Sequence, residues 1–119
     1  MIYAQFIREQ NKIKQFTLSG HADSGPYGHD LVCAAASAVA IGTTNNLTRI
    51  ASIEPKVETN DEEGGFLEVT LPHELDAKQQ EHAEVLLQSL YYSLVDIQES
   101  YGDYISVSNK TNDWFKISL

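Results

Sequence analysis

The chain has 119 residues, 42% of them hydrophobic and 21% charged, which fits one globular domain (1–119) with a single core. Seventeen acids against eight bases give a net charge of -9. That argues against a protein whose main task is gripping phosphate backbones, which needs clustered Lys and Arg, and it suits neutral or basic partners.

The only cysteine, Cys33, excludes an internal disulfide and a Cys-rich metal site, and it favours a reducing compartment. The opening MIYAQFIREQ lacks the basic start and long apolar run of a secretory signal. No run approaches the roughly 18 apolar residues of a membrane span. A cytoplasmic location is expected.

Residues 1–8 (MIYAQFIR) and 13–19 (IKQFTLS) are β-rich runs joined by the polar turn Glu9-Gln10-Asn11-Lys12. Residues 20–29 (GHADSGPYGH) carry three glycines and a proline and read as a loop. From Asp30 to about Ile53 the pattern is helical, with a break or end expected near Gly42 to Asn46. Leu31, Val32, Ala35, Val39 and Ala40 cover more than one stripe, the mark of a buried helix, and Asp30 is placed to cap it.

Residues 55–60 and 66–71 form a second hairpin about Asp61-Glu62-Glu63-Gly64-Gly65. In its second strand Leu67, Val69 and Leu71 face one way, Glu68 and Thr70 the other. A second helix runs from about Asp76 to Tyr101 and opens on a capping box, Asp76 with Gln79. His82, Leu86, Leu90, Leu94, Ile97 and Tyr101 form its apolar stripe, and Gly102 stops it. Residues 104–108 (YISVS) are a last strand, followed by a tail whose Trp114 and Phe115 suit the core or a subunit contact. The order ββαββαβ predicts a two-layer α+β domain, a five-stranded sheet with two helices on one face.

Chemistry concentrates in residues 20–37, GHADSGPYGHDLVCAAAS. With Asp30 as cap, Cys33 is expected in the first helical turn, among unpaired amides at the positive end of the dipole. Such a place favours the nucleophilic thiolate. His21, twelve residues upstream across the loop, can fold back as an acid/base. The plain readings stand beside these. Cysteine is among the most buried residue types, and Cys-Ala-Ala-Ala-Ser-Ala is also ordinary tight helix packing. His21 and His29 are then loop residues and Asp30 only a cap.

The glycine spacing 20, 25, 28 matches neither a P-loop nor a dinucleotide fingerprint. Histidines 21, 29, 73 and 82 include no helical zinc pair, so no metal and no cofactor is expected. His82 reads as packing beside the apolar stripe.

The segment G-H-A, a short Gly-containing loop, then G-x-D-[LIV]-V-C-A-A-x-S resembles the ribosomal-processing cysteine protease family called Prp. The resemblance covers essentially the whole chain, including Tyr101-Gly102-Asp103-Tyr104-Ile105 before the last strand. It implies a cytoplasmic, homodimeric endopeptidase that removes the N-terminal extension of large-subunit ribosomal protein L twenty-seven, without direct contact to nucleic acid or membrane. On that resemblance Cys33 is the nucleophile and His21 the general acid/base. Asp30 and Ser37 match supporting positions, and Gly20, Gly25 and Gly28 belong to a lid loop that brings His21 to Cys33. Amides of the first turn, those of Val32 or Cys33, are the expected oxyanion donors. Position 29, often basic in the family, is His29 here, and the loop carries Pro26.

Two other readings differ in class. One is a non-catalytic ribosomal-protein-binding or assembly factor with a structural cysteine. The other is a thiol redox or acyl-transfer enzyme, for which a resolving second cysteine is missing.

Overall fold

The computed structural model describes residues 1–20, 27–60 and 65–112, with residues 27–30 described by backbone alone. The elements follow the predicted order: β1 (Ile2–Glu9), β2 (Lys12–Ser19), α1 (Tyr27–Arg49), β3 (Lys56–Thr59), β4 (Phe66–Thr70), α2 (Ala77–Tyr101) and β5 (Ile105–Thr111). The sheet order is β3-β4-β2-β1-β5. β1 and β5 run parallel and the other neighbours antiparallel.

The β1–β2 hairpin turns on Gln10 and Asn11, at φ 51 and 68. Two successive left-handed residues give the turn whose twist matches that of the strands. Ile2, Ala4 and Phe6 alternate into the core from β1, opposite Phe16 and Leu18 of β2. The register then shifts from Ile7↔Gln15 to Arg8↔Ile13, so Lys14 is the extra residue of a bulge. This shift returns Ile13 to the core, where it is 1% exposed.

Phe6 joins the layers. It is fully buried, 6.0 Å ring to ring from Phe16 and 5.2 Å edge-on from Tyr91 of α2. Both helices feed the same core, α1 through Val32, Ala36, Ala40 and Leu47, α2 through Ala83, Leu87, Leu90 and Leu94. By length and composition Leu31–Arg49 would suffice to cross a membrane, but here its buried stripe packs into this core.

Several expectations are corrected. α1 begins at Tyr27, so Gly28 is helical rather than part of a loop, and Asp30 is the fourth helical residue rather than the cap. Pro26 directly precedes this start in the sequence, and proline suits a helix entrance because its missing N–H is not needed there. α1 does not break near Gly42. The Thr43 and Thr44 hydroxyls donate to the Val39 and Ala40 carbonyls at 2.8 Å, and the helix continues until Leu47 reaches the core.

Nor is α1 buried all round. Leu31 and Ile41 are about half exposed, and Ala34, Ala35 and Ala38 also face outward, because both helices lie side by side on one sheet face. On α2 the buried line is Ala83-Leu87-Leu90-Leu94, with Leu86 and Ile97 at its margins, His82 half-buried and Tyr101 exposed. A run of four-residue steps drifts around a helix of 3.6 residues per turn, so the true stripe mixes threes and fours. β5 runs on to Thr111, because its parallel pairing with β1 continues to Arg8↔Thr111. Trp114, Phe115 and Asp61-Glu62-Glu63 lie outside the described residues.

The capping box of α2 is present. Gln79 N–H donates to Asp76 Oδ1 at 2.8 Å, and Asp76 N–H to Gln79 Oε1 at 3.0 Å. Gln79 Nε2 also donates to the Ser52 carbonyl, tying the start of α2 to the chain leaving α1. Replacing Asp76 by Ala should cost about 1 kcal/mol of stability, while Asp76→Asn should cost far less. Denaturant midpoints at an unchanged slope measure both.

Candidate active site

Cys33, Ser37 and Ile41 stand at four-residue steps on α1 and so share one face of the helix. That face looks onto the end of the sheet where β2 finishes and β4 begins. Together with Ile2, Leu18, Thr59, Gly65, Phe66 and Leu67, these residues enclose a cavity of about 220 Å³, and Ser19 and Gly20 complete its rim. The cavity exists because the helices stop short of the edge strand. β3 is exposed along its whole length, and Val57 is left 45% exposed.

Cys33 is a free, half-buried thiol packed against the margin of the core. Ser37, one turn later, is half-buried and makes no hydrogen bond to the described residues, whereas Thr43 and Thr44 turn their hydroxyls back onto their own helix. A polar group in that position is available to a ligand. The walls are otherwise aliphatic and aromatic. A dry cavity of about 150 Å³ holds a benzene ring, so this one has room for one large apolar side chain beside the sulfur.

Of the residues singled out in the sequence, the structure brings Cys33, Ser37 and Gly20 to one cavity. His21 and Gly25 lie outside the described residues, and so do the side chains of His29 and Asp30. The expected place of Cys33 in the first turn is corrected, for it is the seventh residue of α1. Only the first four amides of a helix lack internal partners. The amides of Val32 and Cys33 are therefore committed to the helix and are not oxyanion donors, and the dipole argument for the thiolate weakens with distance from the end.

The walls supplied by β3 and β4 were not found from the sequence. Thr59 and Phe66 are far from Cys33 in the chain, and only the strand register brings them to it. The alternation Phe66-Leu67-Glu68-Val69 identified a strand, with no sign that its first residues border a site.

With this geometry in hand, comparison with known proteins is specific. A family model described as cysteine protease Prp matches residues 1–106. The chain belongs to the cysteine protease Prp family. The ribosomal processing cysteine protease Prp of Staphylococcus aureus is 35% identical over 104 residues, covering 87% of this chain and 93% of that protein. Its namesake from Bacillus subtilis is 34% identical over 109 residues, covering 91% and 96%.

Among solved structures, a Streptococcus mutans protein superposes with TM-score 0.84 at 28% identity, covering 94% of this chain and 96% of its own. The S. aureus Prp crystallised with a substrate peptide gives TM-score 0.80 at 32% identity, covering 92% and 100%. As a Prp-family member the chain is a cysteine peptidase, which sets aside the binding-only and redox readings.

If the cavity is the path to the sulfur, filling it will shield the thiol. Ser37→Leu is expected to slow alkylation of Cys33 by iodoacetamide at least about tenfold while the circular dichroism stays unchanged, since thiol reactivity follows access. Mass spectrometry against time reads the rate.

Proposed function

We propose that this chain is a cytoplasmic cysteine endopeptidase that removes the N-terminal extension of large-subunit ribosomal protein L twenty-seven, with Cys33 as nucleophile and His21 as general acid/base. The observation that carries the reading is the position of Cys33. The only sulfhydryl of a Prp-family chain opens onto an apolar cavity that fits one large side chain. The S. aureus relative, described as a ribosomal processing protease, has been crystallised with a substrate peptide and with a covalently linked product peptide.

In this mechanism the substrate's large apolar side chain fills the cavity between Phe66, Leu67 and Ile41, which sets its carbonyl carbon beside the Cys33 sulfur. The thiolate attacks that carbon. The His21 imidazolium donates its proton to the leaving amine, and the peptide beyond the scissile bond departs. His21, now neutral, takes a proton from water, whose oxygen attacks the thioester and frees the acid and the thiol. Ser37, one turn after Cys33 and without a hydrogen bond to the described residues, and Asp30, one turn before it, are supporting residues. The loop carrying Gly20 and Gly25 brings His21 to the sulfur once peptide occupies the cleft. The net charge of -9 draws in a basic ribosomal protein.

The partner in the assembly is a second copy of the chain. The outward-facing Leu31, Ala34, Ala35, Ala38 and Ile41 of α1 form the kind of apolar stripe a homodimer covers.

Incubation with the extended ribosomal protein, with product masses read out, tests the function. The wild type is expected to release the N-terminal peptide, and Cys33→Ala to release none. His21→Ala should lose turnover by a factor on the order of 10²–10⁴ while still binding the peptide, because an acid/base acts in the transition state. Cleavage by Cys33→Ala, or near-normal cleavage by His21→Ala, would overturn the assignment of roles.

A further inference from the structure

Ile13 and Phe16 of β2 both face the core, although they are three residues apart. Neighbours in a regular strand alternate between faces, so the bulge turns the two residues between them, Lys14 and Gln15, onto the same opposite face, away from the helices. Ile7 and Thr70, which flank Gln15 in the register, lie on that face too. With Glu9, Asn112 and the Leu71-Pro72-His73 segment that leaves β4, they enclose a cavity of about 250 Å³, slightly larger than the one of about 220 Å³ beside Cys33. The two cavities lie at opposite ends of the strands. One takes Ile2, Ser19 and Phe66, the other Glu9, Lys14 and Thr70.

The walls of this second cavity carry one group of each sign, Lys14 and Glu9, both half-buried. The two do not pair with each other; the ion pair among the described residues is Lys56 with Glu58. Among those residues the Lys14 ammonium has no hydrogen bond. Glu9 accepts from Asn112 Nδ2 at 3.4 Å, which leaves most of the carboxylate's acceptor capacity open. Gln15 and Thr70 satisfy each other at 2.8 Å. The rest of the lining is apolar, from Ile7, Leu71 and Pro72. Opposite charges drawn partly out of water and held apart favour a ligand that brings the complement of each.

We propose that this cavity binds a small zwitterion, an α-amino acid with an apolar side chain. Its carboxylate meets the Lys14 ammonium, its ammonium meets Glu9, and its side chain lies against Ile7 and Pro72. The volume exceeds the roughly 150 Å³ that holds a benzene ring. A purely anionic ligand leaves Glu9 unpaired beside it, and a purely cationic one leaves Lys14, so both are disfavoured. The bulge makes the site, because a regular strand could not bring Lys14 and Gln15 to one face. None of these residues belongs to the peptidase machinery, so the proposal stands apart from that reading.

Titration of the full chain with L-leucine, followed by amide NMR shifts, tests it. Leucine is expected to shift the amides of Lys14, Gln15 and Leu71 saturably, with a Kd of about 1 mM or tighter. Two analogues separate the charges. Isocaproate is leucine without the ammonium, and isoamylamine is leucine without the carboxylate. Each should bind the wild type at least about tenfold more weakly, and Lys14→Met and Glu9→Gln should each weaken leucine binding by a similar factor. Unchanged amide shifts away from the cavity show that the variants keep the fold. Should either fail to fold, the analogues carry the test on the wild-type chain. The proposal is overturned if leucine gives no saturable shift at about twenty times that concentration. It is equally overturned if isocaproate or isoamylamine binds as tightly as leucine, or if folded Lys14→Met and Glu9→Gln bind leucine as the wild type does.

Discussion

Everything in this molecule depends on burying one face of one sheet. Phe6 is at the centre of that burial, on the strand that pairs with both β2 and β5, sealed between Phe16 beside it and the edge of Tyr91 above. Five strands present more width than two helices cover. The pair settles over the middle of the sheet and β5, where Phe6, Ile105 and Leu94 are all within 1% of complete burial. The uncovered remainder falls at β3 and the start of β4. The cavity beside Cys33 is that remainder: a strip of apolar sheet with a helix along one side and solvent along the other. A third helix over β3 would have completed the core and removed the site.

The same constraint explains the parts of the fold that were legible in the sequence. The elements with one buried and one wet face announced themselves. The alternation of Leu67, Val69 and Leu71 was correct because β4 faces the core on one side only. The capping box Asp76/Gln79 was correct because it is local chemistry, settled within one turn. The stripe of α2 was found with a slight rotation: Leu90 and Leu94 were placed correctly, but the three successive four-residue steps from His82 begin one residue early, where Ala83 and Leu87 are the buried pair.

α1 misled for a physical reason. Its residues are small and apolar on every side, so composition could not separate the side that meets the core (Val32, Ala36, Ala40) from the side that meets solvent (Ala34, Ala35, Ala38). Nor could it locate the first residue, because a Gly- and Pro-containing stretch reads as loop even where its last part is already helical. At the site, the motif gave Cys33, Ser37 and Gly20. The opposite wall came from strand register, which depends on pairings far apart in the chain and leaves no local mark.

The displaced helix start changes where activation of the thiol must come from. A cysteine in the first turn would have its own preorganised amides and could be primed without help. At the seventh position the amides around it are spent on the helix, and the surroundings are Ile41, Leu18 and Phe66. On the proposed assignment the proton for the leaving amine comes from His21, so catalysis would rest on the position of one imidazole. The charge of the molecule works at a different range. Attraction between a -9 surface and a basic partner extends over about one Debye length, roughly 8 Å at physiological salt, and raises encounter without choosing a bond. On the proposed reading the choice of bond falls to the cavity, whose apolar volume has room for one large side chain beside Cys33.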